Sequence, residues 1–202
     1  MTGIPHPGTC QCSDARLEPE ALHREVAEVS ARLPGTVADV QSEAELTLRT
    51  REDRDLAQVV SWVPDADALF LFSGSRLSWP LTANQLREVT AASGLVPYVV
   101  IALSGELVGH FDLCVVDGVA RLGRVILDPT LRGRGCSRTV IAFALAEAQR
   151  LGAGRVRLNV IASNTPAIRA YRRAGFRARP ADRARPDVII MERTAAGSAP
   201  RA

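Results

Sequence analysis

The stretch Arg132-Gly133-Arg134-Gly135-Cys136-Ser137 holds the densest chemistry in the chain. It follows the apolar run Val125-Ile126-Leu127 and leads into a segment with helical periodicity. The start of a helix leaves backbone N–H groups unpaired, and the helix dipole favours negative charge there. Gly133 and Gly135 let the backbone curl against a phosphate with no β-carbon in the way. Arg132, Arg134 and Arg138 add guanidinium charge at the same place. The combination suits a pyrophosphate. A lysine-bearing phosphate loop is excluded, because the chain has no lysine. A dinucleotide fingerprint needs a third glycine at position 138, which is Arg138. A plain tight turn before a helix would use the same two glycines.

The other titratable candidates are few. His110 and Asp112 lie two apart on a predicted strand, so they share a face of the sheet and are candidates for a general base. Cys136 sits at a helix start, where a thiol is acidified, but no histidine stands beside it in sequence, and it reads as filler. Cys10-x-Cys12 with His6 nearby lacks the second ligand pair that zinc requires. Without lysine, no side chain can act as an amine nucleophile or form a Schiff base.

These residues need elements to position them. A strand over Leu46 to Arg49 and a helix from Glu52 to Trp62 come first. A loop-rich aromatic section follows with Phe70, Phe72, Trp79 and Pro80, then a helix near Ala83 to Ala92. Strands over Tyr98–Leu103, Leu107–Val116 and Ala120–Leu127, joined at Ser104-Gly105 and Asp117-Gly118, form an antiparallel meander. The order then changes: a helix over Cys136–Leu151, a strand over Val156–Ile161, a helix over Thr165–Ala174, and final strands at Phe176 and Val188–Met191. A meander followed by βαβ predicts an α+β (α/β layered) domain on a mixed, largely antiparallel sheet of six to seven strands. The domain spans 45–194. Residues 1–44 form an extension with one amphipathic helix through Leu22, Val26, Val29 and Leu33, and 195–202 a disordered tail. That helix must bury its stripe on the domain or on a second copy, so a homodimer is one expectation.

Composition sets the outer bounds. An apolar fraction of 47% supports a packed core. No apolar run is long enough to span a membrane, and the acidic, proline-bearing start is unlike a signal peptide, so no membrane and a cytoplasmic location are expected. Up to Asp67 there are thirteen acids against six arginines; from Arg121 to Arg185 there are fifteen arginines against three acids. Such a split suits an anionic ligand on the C-terminal half, although arginines also serve plain solvation. Aromatics at 4%, with no zinc finger or helix-turn-helix, speak against a nucleic-acid partner.

The loop resembles the Q/R-x-x-G-x-G/A segment of GNAT acetyltransferases, with Ser137 in the last position. A second stretch runs from Asn159-Val160-Ile161-Ala162-Ser163-Asn164 through Ala167 and Tyr171 to Gly175-Phe176. It is similar to the family's N-x-x-A-x-x-x-Y-x-x-x-G-F segment. The resemblance covers roughly 45–194 and implies a GNAT fold and an N-acetyltransferase that moves an acetyl group from acetyl-CoA to a primary amine. It implies that Arg132 to Arg138, including Gly133, Arg134, Gly135, Cys136 and Ser137, hold the pyrophosphate. It further implies that Val125, Ile126 and Leu127 offer backbone groups to the pantetheine arm, that Asn164 contacts the cofactor, and that Tyr171 is the general acid. Some members carry a glutamate where this chain has Asn159, and an amide cannot take that proton. A domain that senses acyl-CoA without turnover is the alternative. The aromatic section would wall the acceptor site, with Asp65 and Asp67 beside it to hold a cationic amine.

Overall fold

The computed structural model describes residues 46–180 and 184–194. The expected N-terminal helix, Cys10, Cys12, His6 and the tail from 195 lie outside the described residues. A seven-stranded sheet organises the rest, in the order β1-β2-β3-β4-β5-β7-β6. Its strands are β1 (Leu46–Thr50), β2 (Val96–Ala102), β3 (Leu107–Val116), β4 (Val119–Leu127), β5 (Arg155–Ile161), β6 (Arg177–Ala178) and β7 (Val188–Thr194). Neighbours pair antiparallel except β4 and β5, which run parallel. The parallel pair is where the chain crosses over through a helix, as parallel strands require.

Between β1 and β2 come α1 (Leu56–Ser61), α2 (Ala66–Ser73) and α3 (Ala83–Ser93). Helix α4 (Cys136–Arg150) joins β4 to β5, and α5 (Thr165–Arg173) joins β5 to β6. The section around Phe70 and Phe72, expected to be loop, is helical in α2. Asp65 starts it by accepting the Ala68 N–H at 2.7 Å, and Leu69 and Phe72 bury one face three residues apart.

Strand alternation sends side chains to two cores, one per face. Leu56, Val59, Trp62, Leu69, Phe72 and Leu86 from α1–α3 pack with Val99 and Leu107. On the opposite face Val140, Ile141, Ala144 and Ala148 of α4 and Ile168 and Tyr171 of α5 pack with Tyr98, Phe111, Leu113, Leu122, Val156 and Met191. Close packing of α4 on β3 uses a glycine. A β-carbon at Gly109 would stand 2.7 Å from Val140 Cγ2 and 3.2 Å from the Ile126 carbonyl oxygen. Among the described residues no helix is long and apolar enough to cross a membrane.

Candidate active site

The pairing of β4 with β5 holds only from Val119↔Arg155 to Leu122↔Leu158. Beyond that β4 continues to Leu127 against β3 alone, and β5 continues to Ile161 against β7. Two parallel strands that stop pairing open a cleft between them, lined by backbone edges. The last residues of β4, Val125, Ile126 and Leu127, form one wall, and Asn159 to Ile161 form the other.

The arginine–glycine loop lies at the mouth of that cleft. After β4, Asp128 closes a 3-10 turn by accepting the Thr130 N–H at 2.8 Å, and the chain enters Arg132–Gly135. Gly133 and Gly135 take φ of +77° and +85°, conformations that cost a β-carbon-bearing residue about 1 kcal/mol or more. No protein atom lies within 4 Å of where either β-carbon would be, so space is left beside the loop. Gly135 is the residue preceding the first turn of α4, and no side chain caps this helix. The Arg138 N–H folds back to the Gly135 carbonyl at 2.9 Å. Ser137 is therefore the second residue of α4 rather than its cap, and the amides of Cys136 and Ser137 belong to the first turn, which has no helical acceptors. The Cys136 side chain packs partly against the α4 core. Arg132 donates from Nη2 to the carbonyls of Leu127 and Trp62, each at 3.4 Å, tying the loop to the end of α1.

Asn164 and Tyr171 sit on α5. Asn164, rather than Thr165, caps this helix: its Oδ1 accepts the Ala167 N–H at 3.2 Å, and Thr165 and Pro166 open the first turn. An asparagine is among the best caps, and its amide nitrogen keeps two donors beyond that bond. Tyr171 faces inward with Ile168, edge-on to Phe176 at 5.7 Å between ring centres. Burial pushes its phenol above the ordinary value of 10.0, so it keeps its proton at neutral pH.

The structure brings His110 and Asp112 together, 3.5 Å apart between Nε2 and Oδ1, but with 0% exposure for both. Neither reaches the surface, so neither can meet an incoming amine directly. His110 Nδ1 lies 3.1 Å from the Tyr98 carbonyl and must donate to it, which makes Nε2 an acceptor. Arg51 Nη1 supplies the matching donor at 3.3 Å. Burial first, and the charges of Arg51 and Arg124 next, hold the imidazole neutral well below its usual range. Burial likewise pushes the Asp112 carboxyl up to about 6, against the opposing pull of Arg124 and Arg51. Arg124 Nε donates to Asp112 Oδ2, while Oδ1 has no hydrogen-bond partner among the described residues.

Two members of this network escape sequence reasoning, Arg51 and Arg124. For Arg124 the signal is a charge inside an apolar strand; Arg51 follows the end of β1 and carries none. Asn159 is exposed on β5, at the cleft. Of the acids near the aromatic section, Asp65 is engaged as the α2 cap and Asp67 is exposed one residue into the helix. Among the described residues no three His, Cys, Asp or Glu side chains group as a metal site.

Known proteins share this fold. The profile of the Acetyltransferase (GNAT) family matches residues 64–176, which include both the loop and the α5 segment. A Bacillus subtilis protein provisionally named a ribosomal protein bS18-alanine N-acetyltransferase is 25% identical over 112 residues, 55% of this chain and 74% of that protein. Spermidine N-acetyltransferase from Vibrio cholerae, solved with CoA and spermine, superposes with a TM-score of 0.60 at 22% identity, over 74% of this chain and 95% of that one. An aminoglycoside acetyltransferase solved with coenzyme A and kanamycin superposes with a TM-score of 0.60 at 20% identity, over 74% and 94% of the two chains. With the family profile spanning more than half of the chain, and the sheet, cleft and loop in one frame, this acyltransferase belongs to the GNAT acetyltransferase family.

Proposed function

We propose that the chain transfers an acetyl group from acetyl-CoA directly to a primary amine. The observation that carries this reading is the uncapped start of α4, set behind two left-handed glycines at the mouth of the β4–β5 cleft. A diphosphate placed there meets first-turn amides and the guanidinium groups of Arg132, Arg134 and Arg138. The pantetheine arm then follows the unpaired edge of Val125–Leu127, as a third strand would. Beside the loop, a groove of about 420 Å³ between α4 and α5 is lined by Arg138, Arg173 and Arg193 together with Ile141 and Leu145. That mix of cations and apolar surface suits a phosphorylated adenosine.

In the reaction the amine's lone pair forms the C–N bond while the C–S bond breaks, and the proton of Tyr171 goes to the departing sulfur. A phenol that holds its proton at neutral pH can deliver it to a departing thiolate. A cationic acceptor would be held by Asp67, with Asp65 occupied in the cap. Water carries the proton from the incoming amine, since His110 and Asp112 are sealed. The relatives named for bS18 alanine, spermidine and an aminoglycoside mark the range of amines to test.

Thiol release from acetyl-CoA across a panel of amines tests the proposal. Tyr171→Phe should cut turnover by about a hundredfold or more and leave acetyl-CoA affinity within about threefold. A second reading, acyl-CoA binding without turnover, draws on Asn159, whose amide cannot accept a proton. Binding with no thiol release for any amine would favour it. No binding at all would remove both.

A further inference from the structure

Strands β3 and β4 keep hairpin register from Val116↔Val119 to Asp112↔Gly123, but His110 then faces Ile126. Over that interval β4 spends three residues to two on β3, so Arg124 and Val125 together oppose Phe111. This is a β-bulge. Arg124 takes φ +44°, in the left-handed region where a bulge ordinarily places glycine. Simple alternation would send residue 124 to the same face as Ala120 and Leu122, beneath α4. Its guanidinium lies instead under α3, on the opposite face. There Nε donates to Asp112 Oδ2, and Nη2 donates to Ser93 Oγ at 3.3 Å. Both Arg124 and Asp112 are buried. An arginine in a glycine's conformation, with a buried partner to hold it, has a task. The residues that follow the bulge are Val125, Ile126 and Leu127, the wall of the cleft.

We propose that the buried Asp112–Arg124 pair is a positioning device for acyl transfer: it locks the left-handed residue of the β4 bulge and thereby sets the Val125–Leu127 backbone at the angle the acyl carrier needs. This rests on the reading of the cleft as the acetyl-CoA site. Removing the guanidinium while leaving a β-carbon lets residue 124 relax to an ordinary extended conformation, and the backbone beyond it turns.

Two double variants isolate that role. Asp112→Asn with Arg124→Gly removes both charges and supplies a residue at ease with φ +44°. Asp112→Asn with Arg124→Ala removes the same charges but keeps the β-carbon. The two differ by one methyl group. The glycine version should bind acetyl-CoA within about threefold of wild type, and the alanine version about tenfold more weakly or worse, with turnover following affinity. Equal dissociation constants for the two would overturn the inference. Amide hydrogen exchange at Val125 and Ile126 in the carrier-free proteins should give the wild-type pattern for the glycine version and faster exchange for the alanine version. That readout stands even if acetyl-CoA proves not to be the ligand, so the two readings fail separately. Should the alanine version not fold, Ser93→Ala stands in, because it removes only the second anchor. Its carrier affinity should fall by about threefold, and an unchanged value overturns the inference equally.

Discussion

Asp112 and His110 pull the stability of the fold in opposite directions as the pH changes. The Asp112 carboxyl is pushed up to about 6 from an ordinary 3.8, so the folded chain holds that proton more tightly than the unfolded one. Its contribution is full below about pH 4 and is lost as pH rises through 6. His110 is held neutral below its usual 6.5, so its contribution is present above that value and declines as acid forces a charge into the core. Asp112→Asn removes the first effect alone. Between about pH 7.5 and 4.5 the stability difference should move in favour of wild type by about 2 kcal/mol. Urea unfolding at the two pH values measures it; a constant difference contradicts the account. At this scale local chemistry singles out the loop arginines as candidates, whereas Asn164 and Tyr171 are candidates only through the family resemblance. The sequence brought His110 and Asp112 to one face but not their depth, since burial depends on which helices lie over that face. Arg124 stayed hidden for a sharper reason. Counting back from the Asp117-Gly118 turn sets it opposite Phe111 on the α4 face, and only the bulge turns it to Asp112.

The elements were legible where periodicity was clean. Strands β3 and β4 and helix α4 follow from alternation and from a long amphipathic repeat. Helix α2 did not, because Ala-Asp-Ala-Leu-Phe-Leu-Phe-Ser is apolar nearly all round and carries no stripe. Its start was readable from Asp65 as a cap. Nor does local pattern reveal that β4 and β5 part after Leu122 and Leu158, since each strand goes on reading as a strand. Two glycine substitutions probe these elements for different reasons. Gly109→Ala drives a methyl group into Val140 and the Ile126 carbonyl, and should cost about 1–3 kcal/mol in denaturant unfolding. Gly135→Ala meets no neighbour but opposes φ +85°, so it should cost about 1 kcal/mol. The two also differ in binding. By calorimetry Gly135→Ala should weaken acetyl-CoA affinity by about tenfold or more, because the β-carbon enters the space left for the diphosphate.

Across the whole molecule, charge is sorted along the chain. The arginine-rich half carries the loop and the groove, and the acid-rich half begins the α1–α2 side. Screening shortens from about 10 Å at 0.1 M salt to about 3 Å at 1 M, so acetyl-CoA affinity should weaken steadily over that range. An affinity indifferent to salt would mean that the guanidinium groups are spectators. Arg132 crosses between the halves, since it holds the Trp62 carbonyl at the end of α1 as well as Leu127 at the end of β4. If a diphosphate draws Nη2 away, the hold on Trp62, two residues before Pro64 and the turn into α2, slackens. The two substrates would then feel each other through one side chain: whatever factor the carrier imposes on amine affinity, the amine must return to the carrier. Cutting that tether with Arg132→Ala should leave each substrate binding as though the other were absent.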